Sequence, residues 1–589
     1  MNTHGPPRRL PIVALVLVLA LAGAGAGAYL LTREDERGGN ATRPTDGAGK
    51  PARKNSPKDG EEAGPARLRG ANLKAGCRLP KRWVKAVYEG WDFGRARAFD
   101  LALVPHPPNY MGSVTDTSHS GPYDFLQRVP LVFYGPGHIS ERGTVNVDRK
   151  VSLVDLAPTY AAAMDFDFPK RDGRAITEIL SDTSEPPKLI VTAVIDGGGW
   201  NVLDYWPGRW PRMKELMKEG ASIANATVGS SPSITPAIHT NLSTGLYPRK
   251  HGVSAILVRT DEGDLTETFA PVGENTGVAN MDATISLKAT TLSDEWDLAT
   301  DNRAVIGMVS PGFLQIGMVG AGTAISGADK DIVAVLAKKT NEWGTNTDLY
   351  SLPDYVNTEV RGPARDKKAV DRADGLVDGL WRGREITPVF ATPAMAPWEN
   401  RTIQALIEQE GFGQDEVTDL FYINYKAPDA AGHLYNMIAP EQGDTIESVD
   451  TAIGELVDWL DRNVGPEEYI LAVTADHGQT PLGAGGWPIR PLEIIADLND
   501  LFDHTPNDRG VIQDTSAHTL FMSTPELKVN GVAPEEVADY LYDYTFAENV
   551  AEGDAYPAEF AGREDERIFE TVIPGRLLDD VQDCNSSRS

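Results

Sequence analysis

Three runs of almost unbroken apolar residues stand out along the chain: Lys188-Leu189-Ile190-Val191-Thr192-Ala193-Val194-Ile195, then Asp419 to Tyr425, then Tyr469 to Thr474. Each reads as a strand buried on both faces, as in a parallel sheet. Between them, Trp210, Met213, Leu216 and Met217 fall at helical spacing. So do Ile446, Val449, Ile453, Leu456, Val457 and Leu460, which predict an amphipathic helix just before the last strand. Alternating strands and helices predict an α/β fold with a doubly wound, mostly parallel central sheet flanked by helices.

The polar residues that interrupt this pattern lie where the strands end. Asp196 opens Asp196-Gly197-Gly198-Gly199, the second run leads into Asp429-Ala430-Ala431-Gly432-His433, and the third into Ala475-Asp476-His477-Gly478. Open α/β sheets bind their ligands at the carboxyl ends of the strands. A further block, Ser231 to His239, contains Thr235-Pro236, the pattern of an N-cap followed by Pro at N1, with Gly245 placed to end a short helix. Taken singly, these residues have plain readings. Thr235 caps a helix, an Asp after a strand shapes a turn, and Asp429 with His433 makes an i,i+4 pair. Taken together they supply carboxylates and imidazoles from three strand ends, plus a hydroxyl at a helix start, where anions are stabilised. Mixed nitrogen and oxygen donors suit zinc, whereas an all-oxygen set would suggest magnesium or calcium.

A longer apolar run, Leu10 to Leu31, follows Arg8 and Arg9 and precedes the charged string Arg33 to Arg37. About 20 apolar residues span a bilayer as a helix, and preceding arginines favour a cytoplasmic N-terminus. Residues 1–9 are thus expected on the cytoplasmic side and 10–32 as a transmembrane anchor. The competing reading is a cleaved signal peptide, with its cleavage site in the Ala/Gly stretch 22–28. Both readings export the folded part. Residues 33–70 carry scarcely a large apolar side chain and read as a flexible linker. The only cysteines, Cys77 and Cys584, lie near the two ends of the globular part, and an exported pair is more often bonded than free. A net charge of −30 argues against a nucleic-acid duplex as partner. It leaves small phosphorylated substrates open, because a bound metal overrides the global field locally. Protein partners are not readable.

Four blocks give the chain a family resemblance. They are the strand ending in Asp196; Pro232-Ser233-Ile234-Thr235 through Thr244-Gly245-Leu246-Tyr247-Pro248 to His251-Gly252; Asp429-x-x-Gly432-His433; and Thr474-Ala475-Asp476-His477-Gly478. The chain resembles the alkaline phosphatase superfamily, most closely its phosphodiesterase/nucleotide-pyrophosphatase branch. The resemblance implies a hydrolase of phosphate esters with a threonine nucleophile, Thr235, and two zinc ions. Asp196, Thr235, Asp476 and His477 would serve one ion, and Asp429 and His433 the other, which still needs a histidine.

That branch supplies the last histidine after Asp-His-Gly, ahead of a V-P-L-hydrophobic-F-x-G segment. Downstream here stand His504 and His518, neither in such a setting, whereas Thr117-Ser118-His119-Ser120-Gly121 followed by Val129-Pro130-Leu131-Val132-Phe133-Tyr134-Gly135 lies upstream. The resemblance therefore implies a circular permutation, with His119 as the remaining ligand and His518 as the alternative. Residues 71–182 would be the family's C-terminal portion and 188–589 the rest, with a cap insertion at about 257–418. A Cys77–Cys584 bond would then flank the new break. His239 and His251 are expected to pack or hydrogen-bond within the nucleophile block, and His106 and His138 to lie in loops.

The branch's usual Asn after His-Gly is absent, for the stretch reads Val253-Ser254-Ala255-Ile256-Leu257. Backbone amides, Lys288 or Arg303 are the candidates left for meeting transition-state charge. A sulfatase on the same fold would need a C/S-x-P-x-R nucleophile block, which is lacking. A phosphomutase would be expected in the cytosol, and a catalytically silent surface-binding protein is the reading from another class.

Overall fold

The three apolar runs form the middle of a nine-stranded sheet. In chain order its strands are β1 Leu131–Tyr134, β2 Gly143–Val145, β3 Leu189–Ile195, β4 Ala221–Ile223, β5 Ile306–Ser310, β6 Ile332–Ala337, β7 Glu342–Gly344, β8 Asp419–Tyr425 and β9 Tyr469–Thr474. Their order across the sheet is β7-β6-β5-β8-β3-β9-β1-β4-β2. Only β7 and β1 run against the others, so the sheet is mixed but mostly parallel. This computed structural model describes residues 70–92, 98–111, 119–140, 142–182, 185–260, 263–269, 287–481, 485–507 and 509–588. The expected cytoplasmic stretch, the anchor or signal segment at 10–32 and all but the last linker residue fall outside them. Among the described residues, no helix is long and apolar enough to cross a membrane.

Every residue of β3, β8 and β9 is buried, which is why these strands read as continuous apolar runs. Alternate side chains still separate onto two cores. Leu189, Val191, Ala193 and Ile195 join the helices Pro211–Glu219, Met395–Gln409 and Pro440–Asn463 on one face. Ile190 and Val194 join the helices Leu156–Ala163 and Thr235–Thr244 on the other. Burying each such aliphatic side chain stabilises the fold by roughly 1.5–3 kcal/mol, and two covered faces make the sheet doubly wound.

The cap expected at about 257–418 is only partly separate from this sheet. Within it, β5, β6 and β7 extend the sheet on one side, β5 pairing in parallel with β8. The buried Ile332-Val333-Ala334-Val335 run needs neighbours on both faces, and an isolated cap would not provide them.

Residues near the two chain ends interleave. A four-stranded antiparallel sheet runs Ile512–Ser516, Thr519–Met522, Leu101–Pro105 and Phe569–Pro574, so the early strand is held between two late ones. Asn72 donates to the Val572 carbonyl at 2.7 Å and accepts from its amide at 2.9 Å. Asn585 donates to the carbonyls of Cys77 and Leu79 at 3.0 and 2.8 Å. Cys77 and Cys584 are bonded, with their Cα atoms 5.6 Å apart. Because that bond closes a loop of 507 residues, its loss removes a large constraint on the unfolded chain. The Cys77→Ser/Cys584→Ser double variant is expected to be about 2–5 kcal/mol less stable. A guanidinium midpoint equal to that of the parent protein would contradict this.

Candidate metal centre

Parallel strands bring their carboxyl ends to one edge of the sheet, and the chemistry gathers there. Asp196 follows β3 directly, Asp476 and His477 follow β9, and Asp429 and His433 lie on the helix Ala427–Tyr435 that leaves β8. His119 arrives from the segment ahead of β1, the antiparallel neighbour of β9. All six side chains are buried.

They form two groups of three, His119/Asp429/His433 and Asp196/Asp476/His477. In the second, His477 Nε2 lies 3.3 Å from Asp476 Oδ2 and 3.6 Å from Asp196 Oδ1. In the first, Asp429 Oδ1 lies 3.2 Å from His433 Nε2 and 3.6 Å from His119 Nε2. Asp429 Oδ1 also stands 3.9 Å from His477 Nε2, which links the groups. The imidazole rings of His119 and His477 stack with centroids 3.4 Å apart, and those of His119 and His433 are 5.1 Å apart.

Donors about 2.0–2.2 Å from one tetrahedral ion must sit roughly 3.3–3.6 Å from each other, close to the separations found here. Asp196 Oδ1, Asp476 Oδ2 and His477 Nε2 are buried and have no hydrogen-bond partner, a costly arrangement unless something else binds them. The imidazole tautomers fit as well. The Nδ1 atoms of His119 and His477 face the carbonyls of Ser233 at 2.9 Å and Gly478 at 3.0 Å. Donating there leaves each Nε2 lone pair for a ligand. Burial, followed by the neighbouring His477, holds His119 well below the usual histidine range and hence neutral. Two divalent ions therefore fit the residues present.

A second layer holds these groups in place. Asn424 and Gln315 donate to Asp196 Oδ2 at 3.1 and 3.3 Å. The Gly197 amide donates to Asp476 Oδ1 at 2.9 Å. Gly197 has φ +70°, and a Cβ there would stand 3.0 Å from the Asp429 Cα, so only glycine suits the turn. His239 bridges the Thr235 carbonyl and Asn424 at 2.8 and 3.0 Å, and His251 meets the Asn241 side-chain amide at 2.8 Å. Both are the structural histidines expected. His518 rests against Tyr123, ring centroids 6.3 Å apart, and belongs to neither group.

Thr235 differs from its plain reading. It is the first residue of the helix Thr235–Thr244, Ile234 occupies the N-cap, and no side chain caps that end. Gly245 closes the helix at φ +67°, as its position suggests. The Thr235 hydroxyl, freed from capping, instead accepts from Lys426 Nζ at 3.4 Å. Lys426 also sits 3.1 Å from Asp196 Oδ2 and 2.6 Å from Asp429 Oδ2, so one ammonium spans both groups. Burial opposes its charge, but those carboxylates hold it protonated.

Lys426 is the residue that sequence reasoning missed, although its place directly after β8 matches the other strand-end groups. The two cations considered from sequence are committed elsewhere. Lys288 pairs with Asp92, and Arg303 Nε donates to the Thr300 carbonyl at 3.0 Å. Val253, Ala255, Ile256 and Leu257, where the branch places its Asn, are buried in apolar cores. Lys338 follows β6 on the same edge of the sheet, over the Phe390 ring at 4.6 Å. Burial, and then the Lys426 charge, push it down to about 8, while Glu267, Asp429 and Asp196 act in the opposite sense. A cavity of about 990 Å³ lined by Arg259, Asp264, Gln513 and Arg576 lies beside the four-stranded sheet, away from these groups.

Comparison with known proteins places this geometry in a family. Residues 190–576, more than half of the chain, match the family described as type I phosphodiesterase / nucleotide pyrophosphatase. The alkaline phosphatase PafA of Elizabethkingia meningoseptica is 25% identical over 331 residues, covering 50% of this chain and 60% of its own length. The alkaline phosphatase PhoV of Synechococcus elongatus is 22% identical over 365 residues, 56% of this chain and 66% of its own length. The chain thus spans about three fifths to two thirds of these relatives. The crystal structure of wild-type PafA superposes with a TM-score of 0.51 at 18% identity, covering 62% of this chain and 77% of that one, which supports a shared fold. On the strength of the family match, the chain belongs to the type I phosphodiesterase/nucleotide pyrophosphatase family.

Proposed function

We propose that the protein is a metal-dependent hydrolase of phosphate esters, using Thr235 as nucleophile and two zinc ions. The observation that carries this reading is the pair of buried, mutually spaced His/Asp triads beside a helix-start hydroxyl. Asp196, Asp476, His477 and Thr235 would hold one ion and His119, Asp429 and His433 the other. When bound, such ions supply Lewis-acid charge to the attacking and leaving oxygens of an in-line displacement.

The chain's own residues do the rest. Thr235 Oγ1 attacks phosphorus and gives up its proton to solvent water, while the bond to the leaving oxygen breaks and that oxygen takes a proton from solvent, so that a phosphothreonine ester forms. Water then cleaves that ester, releasing phosphate and restoring the hydroxyl. Lys426, held by Asp196 and Asp429, keeps a fixed positive charge beside the attacking oxygen and takes the role the missing Asn leaves open. Lys426→Met is expected to lower kcat by about 100-fold with folding intact, and Arg303→Ala to leave it unchanged. Equal losses in both variants would remove Lys426 from this role.

Two cations beyond the metals, Lys426 and Lys338, favour the extra negative charge of a monoester over a diester, and the two relatives compared are named alkaline phosphatases. Chelation followed by zinc addition tests the reading as a whole. Activity toward p-nitrophenyl phosphate should vanish and return, and should exceed that toward the bis ester. Metal-replete protein inert toward both esters would point to the silent binding protein instead.

We read residues 71–182 as the family's C-terminal portion moved to the front. The family match begins only at residue 190, while β1 pairs with β9 and His119 lies at the centre. The apolar segment 10–32 and the Cys77–Cys584 bond support an exported chain anchored in the cell membrane. External protease should release the folded part from intact cells.

A further inference from the structure

A second cluster of carboxylates lies at the opposite edge of the sheet. Asp331 immediately precedes the first residue of β6, whereas the catalytic-type groups follow the last residues of strands parallel to it. Asp329 stands two residues earlier, and Asp297 lies on the helix Leu292–Thr300. One carboxylate oxygen from each lies within 4.8 Å of the others. Asp297 and Asp331 are 1% and 4% exposed, while Asp329 faces solvent.

Three carboxylates so placed repel one another unless a cation, or a proton shared in the Asp297–Asp331 side-chain hydrogen bond, relieves them. Among the described residues none of the three makes an ion pair with a lysine, arginine or histidine. The neighbouring Asp294 is saturated by the amides of Thr291 and Ala321 and the Thr291 hydroxyl. Within the cluster, Asp297 Oδ1 is buried without any hydrogen-bond partner. An acceptor in that state calls for a cation or a donor.

The donors are oxygen only, which selects a hard ion. Calcium binds oxygens at about 2.3–2.6 Å, so ligands of one ion span up to roughly 4.6–5.2 Å, as these do. It also tolerates a half-open shell completed by water, which the exposed Asp329 side allows. We propose that Asp297, Asp329 and Asp331 form a calcium site that ties the helix Leu292–Thr300 to the start of β6, remote from the catalytic-type centre. The ion serves stability, not catalysis.

Equilibrium dialysis of the zinc-loaded full chain against calcium chloride tests this. One calcium per chain should bind with zinc content unchanged, and Asp331→Asn and Asp329→Asn should each abolish it while hydrolysis of p-nitrophenyl phosphate stays within about twofold. Asp329→Asn, at the exposed position, keeps the test valid if Asp331→Asn fails to fold. Calcium at 100 times its Kd should raise the parent protein's melting temperature by about 2–3 °C and leave the Asp329→Asn variant unmoved. No saturable calcium, or binding that survives in a folded variant, would overturn the site. In that case a proton shared between Asp297 and Asp331 accounts for the pair.

Discussion

Thr235→Ala is expected to lower kcat for p-nitrophenyl phosphate by at least about 10⁴-fold while both zinc equivalents stay bound. The size of the effect follows from chemistry: alanine leaves no atom that can form the phosphoryl ester. Water acting in its place lacks the fixed position that the helix start gives Oγ1. Six buried protein donors besides Thr235 remain to hold the ions, so metal content should barely change. Thr235→Ser keeps an oxygen at the site and should recover most of the rate. Should the alanine variant turn over within tenfold of the parent, the nucleophile is another group.

His119→Ala is expected to remove one of the two zinc ions and cut kcat/KM by about 10³-fold. Its Nδ1 is committed to the Ser233 carbonyl at 2.9 Å, which fixes the ring with Nε2 facing Asp429. The ring also stacks on His477, centroids 3.4 Å apart. His518→Ala provides the contrast, because burial pushes this histidine down to about 3 and it lies against Tyr123 outside both groups. Metal analysis of the two variants is decisive. Zinc loss in His518→Ala, with none in His119→Ala, would return the ligand role to the downstream histidine and end the case for the rearranged chain order.

The strands and their terminal carboxylates were legible because both are local features. An apolar run of six or seven residues fixes β3, β8 and β9, and the chain must leave each strand at its carboxyl end, so Asp196, Asp429 and Asp476 converge. Lys426 was not legible in this way. A lysine after a strand ordinarily faces solvent, and what buries this one is contact with Asp196 and Thr235, 230 and 191 residues away. Thr235-Pro236 carries a capping pattern, yet the helix begins one residue early and the hydroxyl turns to the lysine instead. The span 257–418 misled for a third reason. Gly307 and Met308 weaken the β signal of β5, so its place beside β8 emerges only from the pairing.

The position of β1 bears on how the chain is made. Its hydrogen-bonding neighbour β9 begins at residue 469, so residues 131–134 leave the ribosome more than 300 residues ahead of the strand they pair with. At about 5–20 residues per second, roughly 20–70 s of synthesis separate the two. Throughout that interval Val132 and Phe133, buried on completion, lack their principal partner. Late arrival of a central strand raises contact order and slows folding. The early segment therefore waits for its partner until most of the chain has been made, and the final disulfide can close only after the last helix has emerged.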